Sequence, residues 1–383
     1  MLKFLCFSLA LIASTEAKEL KRDKWQTTVN GVPIPPERSG ELIFEDDFDF
    51  LDLYTWQHEK TASGGGNWEF QIYQNNRTNS FVDDEGFLHI VPTLTEDQYG
   101  EGFCNNGRID LHGGWPADEC TNPSFYGCER IGNGGTTINP TLSARLRTVN
   151  SFSFKYGTME VRARMPRGDW IWPAIWMLPR MNAFGGWPAS GEIDLVEARG
   201  NEQFQCEGKE QGHKSAGSTL HFGPFWPVNG WSEAHGEMIH SGGGFGTDFV
   251  TYRLEWTPEY IAFFYDDVEV KRVVPPSGGF WELYDFDTFF PGVSSPWFGD
   301  DISIMTPFDQ EFYIILNVAV GGTNGFFPEG CTNMGYNKPW SNTSPNAMNE
   351  FLSTKHLWYP TWNKETDPDQ SAMLVDYVRV WAL

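Results

Sequence analysis

The sequence predicts an all-β protein, a large sandwich of two antiparallel sheets, and three observations predict it. Forty glycines and 24 prolines punctuate 383 residues, so the chain turns often. Short runs recur in which every second side chain is apolar, the period of a half-buried strand. No ten-residue helical pattern, internal repeat or linker interrupts them, which favours one large sandwich over two domains.

The strands read in order as follows. Residues 1–17 (MLKFLCFSLALIASTEA) have the form of a signal peptide, with Lys3 ahead of a short apolar run and small residues at its end. Residues 18–40 read as a leader or propeptide, with a dibasic Lys21-Arg22 where processing is expected. One domain is then expected over 41–383. Leu42-Ile43-Phe44 opens the series, and Asp84-Glu85-Gly86 turns into the strand Phe87–Val91. From 95 to 140 the period disappears and Gly, Asn, Pro and Cys dominate, an insertion long enough to form the wall of a site. Alternation returns over Tyr156–Met165, with Met159, Val161, Ala163 and Met165 on one side. Further strands are expected at 250–256, 260–265, 311–320 and 373–381.

Charge and cysteines narrow the partners. With 27 Lys+Arg against 51 Asp+Glu the net charge is −24, which repels nucleic acid and anionic membranes and leaves a neutral polymer acceptable. The aromatic share of 16%, including 17 Trp, suits a surface on which sugar rings stack. The signal peptide and two glycosylation sequons, at Asn76 and Asn342, point to secretion, and a monomer is expected. Cys6 leaves with the signal. Cys104, Cys120, Cys128, Cys206 and Cys331 then remain, read most simply as two disulfides and one free thiol, with at least one bridge inside the insertion.

The chemistry concentrates in residues 190–200, Ser-Gly-Glu-Ile-Asp-Leu-Val-Glu-Ala-Arg-Gly. In a flat strand Glu192 and Asp194 share a face, but Glu197, at odd spacing, points away. A one-residue bulge near Leu195-Val196 returns it to the carboxylate face. Three acids in six residues more often form a solvated edge. Here a tryptophan strand precedes them: Trp172, Ala174 and Trp176 share one face, Ile171, Ile175 and Met177 the other. Two indoles about 13 Å apart, with alanine between, leave room for sugar rings. Trp187 adds a wall. His221 is a candidate to bond Asp194 or a sugar hydroxyl. Asn75, Arg77 and Arg145 are candidates for binding hydroxyls or for surface pairs, and Asn317 is a candidate because an amide on an apolar run needs a backbone or ligand partner.

Trp172-Pro-Ala-Ile-Trp-Met-Leu-Pro, Gly191-Glu-Ile-Asp-Leu-Val-Glu197 and Leu220-His-Phe-Gly223 together resemble glycoside hydrolase family 16. The likeness is to animal laminarinases and the related β-1,3-glucan recognition proteins. Phe70–Tyr73, Tyr252–Pro258, Leu316–Gly322 and Asp376–Trp381 extend it over residues 41–383. The resemblance implies a concanavalin A-like β-jelly roll with a concave cleft. It also implies retaining hydrolysis of internal β-1,3-glucan bonds, with Glu192 as nucleophile, Glu197 as acid/base and Asp194 between them. No cofactor is required for catalysis. A structural calcium ion, held through the Gly86 carbonyl and Asp376, is compatible with the family pattern. Recognition relatives typically lack a catalytic glutamate and carry an extra N-terminal domain. Both glutamates are present here, so hydrolysis is the expected function and non-catalytic glucan recognition the alternative.

Overall fold

The computed structural model describes residues 26–115, 118–299 and 302–383; the expected signal peptide and the dibasic pair lie outside them. Two antiparallel sheets face each other. The sheet that carries the site runs in the order Val32–Pro33, Thr28–Val29, Ser153–Lys155, Phe312–Val320, Ile171–Pro179, Glu192–Ala198, Ser215–His221, Gly236–Ile239. The outer sheet runs Val268–Val273, Ile261–Tyr265, Val250–Trp256, Gly157–Arg164, Met373–Trp381, Leu88–Ile90, Ser80–Val82, with Leu42–Asp46 also on Met373–Trp381. This is the antiparallel sandwich that the alternation implied, in the jelly-roll form that the resemblance implied.

Alternation explains the layers. Along Gly157–Arg164 buried and half-buried residues alternate without exception, so Met159, Val161 and Ala163 enter the core while Glu160, Arg162 and Arg164 face outward. Ile171, Ile175, Met177, Ile193, Leu195, Leu220, Leu254, Phe263, Leu316 and Val380 meet them in one continuous cluster. Trp256 is fully buried and its indole donates to the Phe308 carbonyl at 3.0 Å, so the large ring brings no unpaired polar group inside. Phe312–Val320 is buried at all nine positions: one face meets the core, and the other lies beneath the cleft and its loops.

Two expectations change. Residues 26–40 are not a separate leader. Thr28–Val29 pairs with Ser153–Lys155 and extends the site-bearing sheet, and Thr27 is buried beside the C-terminus, accepting from the Leu383 N–H at 2.7 Å. The domain thus begins ahead of residue 41, because a two-residue strand is too short to show a period. The insertion is also less irregular than its composition suggests. It holds short helices at Thr95–Tyr99 and Phe103–Asn106 and a hairpin of Arg108–Asp110 with Glu129–Ile131. Its small core joins Ile109, Leu111 and Ile138 to Ala62, Ile72 and Leu142. Disulfides join Cys120 to Cys128 within it and Cys206 to Cys331 elsewhere, leaving Cys104 free and buried. Among the described residues no helix is long and apolar enough to cross a membrane.

Candidate active site

The acidic strand, Glu192–Ala198, lies between the tryptophan strand and Ser215–His221. Its pairing with the tryptophan strand matches Val196 to Ile175 and then Asp194 to Trp176, so Leu195 has no partner. On its other side the register slips between Asp194 and Glu197. The bulge therefore falls where the odd spacing requires it. Leu195 and Val196 both enter the core, and Glu192, Asp194 and Glu197 line one cleft. Two buried hydroxyls hold the bulge: Ser218 Oγ donates to the Leu195 carbonyl at 2.7 Å, and Tyr265 Oη reaches it at 3.4 Å from the outer sheet.

Burial sets the electrostatics. Desolvation, then the charge of Asp194, pushes the pKa of Glu192 up to about 8. Desolvation likewise raises Glu197, and Asp194 rises well above the usual carboxylate range. Asp194 and Glu192 line the same cleft and burial raises both, so the pair retains a proton that the two carboxylates share. Trp172 Nε1 donates to Glu197 at 2.9 Å and opposes its upward shift. His221 Nε2 lies 3.2 Å from Asp194, and the Asn229 amide sits 2.8 Å from Nδ1. An amide donating to Nδ1 leaves the imidazole proton on Nε2, facing Asp194.

The rest of the cleft is built by neighbouring strands. Trp172, Ala174 and Trp176 all line it. Trp172 is not a free platform, because it is 6% exposed and stacked on Phe326 at 3.9 Å. It positions Glu197 instead. Trp176 donates to Asn317 Oδ1 at 2.6 Å, and Asn317 Nδ2 donates to Tyr73 Oη at 3.0 Å, which answers the demand of that buried amide. The Arg145 guanidinium lies 4.5 Å over the Trp176 ring and pairs with buried Glu59 at 2.9 Å. Trp187 is exposed, its ring 5.5 Å from that of His221.

Several placements differ from the sequence reading. Asn75 and Arg77 take the surface-pair alternative rather than lining the cleft above the carboxylates: Asn75 donates to Asp118, and Arg77 bonds Asn75. No residue of 95–140 lines that cleft either. Asp376 is ion-paired with Arg162 on the outer sheet. A guanidinium on the one carboxylate of the Gly86/Asp376 pair competes with a cation there. Among the described residues the acid and imidazole group compact enough for a metal is Glu192, Asp194 and His221.

Gly65, Asn67 and Glu69 were missed. Glu69 is buried in the cleft wall and accepts from Asn67 at 2.9 Å and Gln71 at 2.6 Å. Gly65, at φ 61°, passes so close to the Glu69 carboxylate that a Cβ would overlap it. The available signal was the polar alternation Glu69, Gln71, Tyr73 on an apolar stretch.

A jelly roll with a line of buried acids in its cleft defines a carbohydrate-active class, and comparison with known proteins places the chain within it. Residues 130–290 match the model of glycosyl hydrolases family 16. The chain is 50% identical over 345 residues to the beta-1,3-glucan-binding protein of Penaeus monodon, covering 89% of this chain and 90% of that one. It is 34% identical to beta-1,3-glucan-binding protein 1 of Galleria mellonella, over 90% of this chain and 64% of that longer protein. Among solved structures, the laminarinase from Rhodothermus marinus superposes with a TM-score of 0.52 at 26% identity, over 89% of this chain and 96% of that one. The chain belongs to glycosyl hydrolase family 16.

Proposed function

We propose that the protein is a secreted, retaining endo-1,3-β-glucanase. The observation that carries this reading is the bulged acidic strand, which turns Glu192, Asp194 and Glu197 toward one cleft. Glu192 attacks the anomeric carbon while Glu197, held protonated by burial, gives its proton to the departing glycosidic oxygen. The proton that the pair shares passes to Asp194 as Glu192 attacks. Once the glycosyl–enzyme ester has formed, Glu192 is neutral and the Glu197 pKa falls. Glu197 then takes a proton from water, which attacks the ester and releases the sugar with its β-configuration. A second sugar in place of water gives transglycosylation. Tyr73, Arg145, Asn317 and Glu69 supply donors and acceptors to hydroxyls along the cleft. The resemblance to laminarinases favours internal β-1,3 bonds.

The second reading is glucan binding without turnover, favoured by the printed names of the Penaeus and Galleria relatives. Reducing-sugar release from laminarin separates the two. Wild type should exceed Glu192→Ala by about a thousandfold or more, and proton NMR of the first product should show the β-anomer. Release no greater than that of the variant leaves recognition as the function.

A further inference from the structure

A second cavity, about 830 Å³, opens beside the cleft, within the size range of small-molecule sites. Its walls come from the insertion, from the loop bearing Trp68, and from the segment after Asn342. Trp68 stands between Asn67 and Glu69, which line the cleft, so the two spaces share one loop.

The chemistry of its wall is unusual at one residue. Arg130 lines the cavity and is only 9% exposed, yet no carboxylate among the described residues pairs with it. Its guanidinium reaches the Phe125 carbonyl at 3.1 Å and the Met348 sulfur at 3.7 Å, and Nε has no partner. Glu129, also in the wall, is already bonded to Arg108 at 2.8 Å. Burial lowers the pKa of Arg130 to about 10, which leaves it charged at neutral pH. A buried, unpaired cation costs stability, and an apolar side chain of similar size would avoid that cost. Around it stand the flat rings of Trp68 and Tyr126, both exposed, and the hydroxyls of Thr136 and Thr323. Rings and hydroxyls suit a sugar, and an unpaired guanidinium suits an anion.

We infer that this cavity is a second binding site, for a saccharide unit carrying a single anionic group, a carboxylate or a sulfate ester, held by Arg130 and stacked against Trp68. The net charge of −24 repels a polyanion but not one charge on an otherwise neutral sugar. The site is independent of hydrolysis, since its ligand needs no glycosidic bond.

Titration of the full chain with glucuronate, glucose 6-sulfate, glucose and acetate, followed by saturation-transfer NMR and calorimetry, tests this. Glucuronate or the sulfate should bind at least about tenfold more tightly than glucose or acetate, and the tighter of the two identifies the anion. Arg130→Met should remove that preference while Tm stays level or rises and laminarin hydrolysis is unchanged. Trp68→Ala, at an exposed ring, should weaken the anionic sugar without restoring glucose, and decides the matter if Arg130→Met does not fold. Equal binding of all four compounds overturns the site, as does an anion preference that survives Arg130→Met or an affinity for the anionic sugar that Trp68→Ala leaves unchanged.

Discussion

At the scale of single residues, burial keeps protons on the carboxylates of the candidate site. The pKa of Glu192 rises from the ordinary 4.5 to about 8, so the folded chain binds that proton more tightly than the unfolded one. The stability this contributes is complete below about pH 4.5 and is lost as pH rises through about 8. Glu192→Gln removes the titration. Its Tm should therefore fall less than that of wild type between about pH 5 and pH 8, and should be the higher at the alkaline end. Calorimetry across that range checks it, and curves that run parallel exclude the desolvation account. Trp172 has the opposite action on Glu197, because its indole N–H favours the anion. Trp172→Phe should raise the Glu197 pKa and carry the alkaline limb of kcat/KM to higher pH, since hydrolysis needs Glu197 protonated. A limb that stays in place or moves down makes the indole merely a packing group.

At the scale of elements, the bulge is the feature that converts a strand into a site, and the opposite sheet helps to hold it. Tyr265 belongs to Ile261–Tyr265 of the outer sheet, and its hydroxyl lies 2.9 Å from that of Ser218, which donates to the Leu195 carbonyl. Removing both hydroxyls in Ser218→Ala/Tyr265→Phe strands a buried carbonyl and should cost about 1–3 kcal/mol. Because the bulge aims Glu197, turnover should fall further than the loss of folded protein explains. Urea melts beside laminarin assays separate the two effects, and a drop in activity matching the melt alone would falsify the positioning role. The odd spacing of Glu197 made the bulge legible in the sequence, since a period of two leaves no other way to bring it beside Glu192. The wall containing Asn67 and Glu69 was not legible in the same way. Gln71–Tyr73 is three residues long and pairs in parallel with Thr141–Ser143, a contact that no local period announces. Asn75 and Arg77 were drawn toward the cleft by residue type alone, and their side chains satisfy each other and Asp118 instead.

At the scale of the molecule, the sandwich was legible because its long strands bury one face over many residues, as Gly157–Arg164 does. Its ends were less so: Thr28–Val29 joins the sheet through two residues only. The division of five cysteines into two bridges and a free thiol followed from their odd number, but the partners depend on which loops the fold brings together. Those bridges differ in what they restrain. Cys206–Cys331 spans 125 residues, including the strands from Ser215–His221 to Phe312–Val320, whereas Cys120–Cys128 spans 8. Loop-closure entropy grows with the logarithm of the span, so the long bridge should stabilise the folded chain by about 2 kcal/mol more than the short one. Cys206→Ser/Cys331→Ser should therefore lower Tm by several degrees more than Cys120→Ser/Cys128→Ser, measured by calorimetry at one pH and scan rate. The short bridge lies in the insertion that walls the second cavity, so its loss should act locally, exposing amides of 95–140 to faster hydrogen exchange while those of Glu192–Ala198 stay protected. Equal losses of Tm, or exchange that spreads to the acidic strand when the short bridge is removed, would mean that the insertion and the sandwich unfold as one unit.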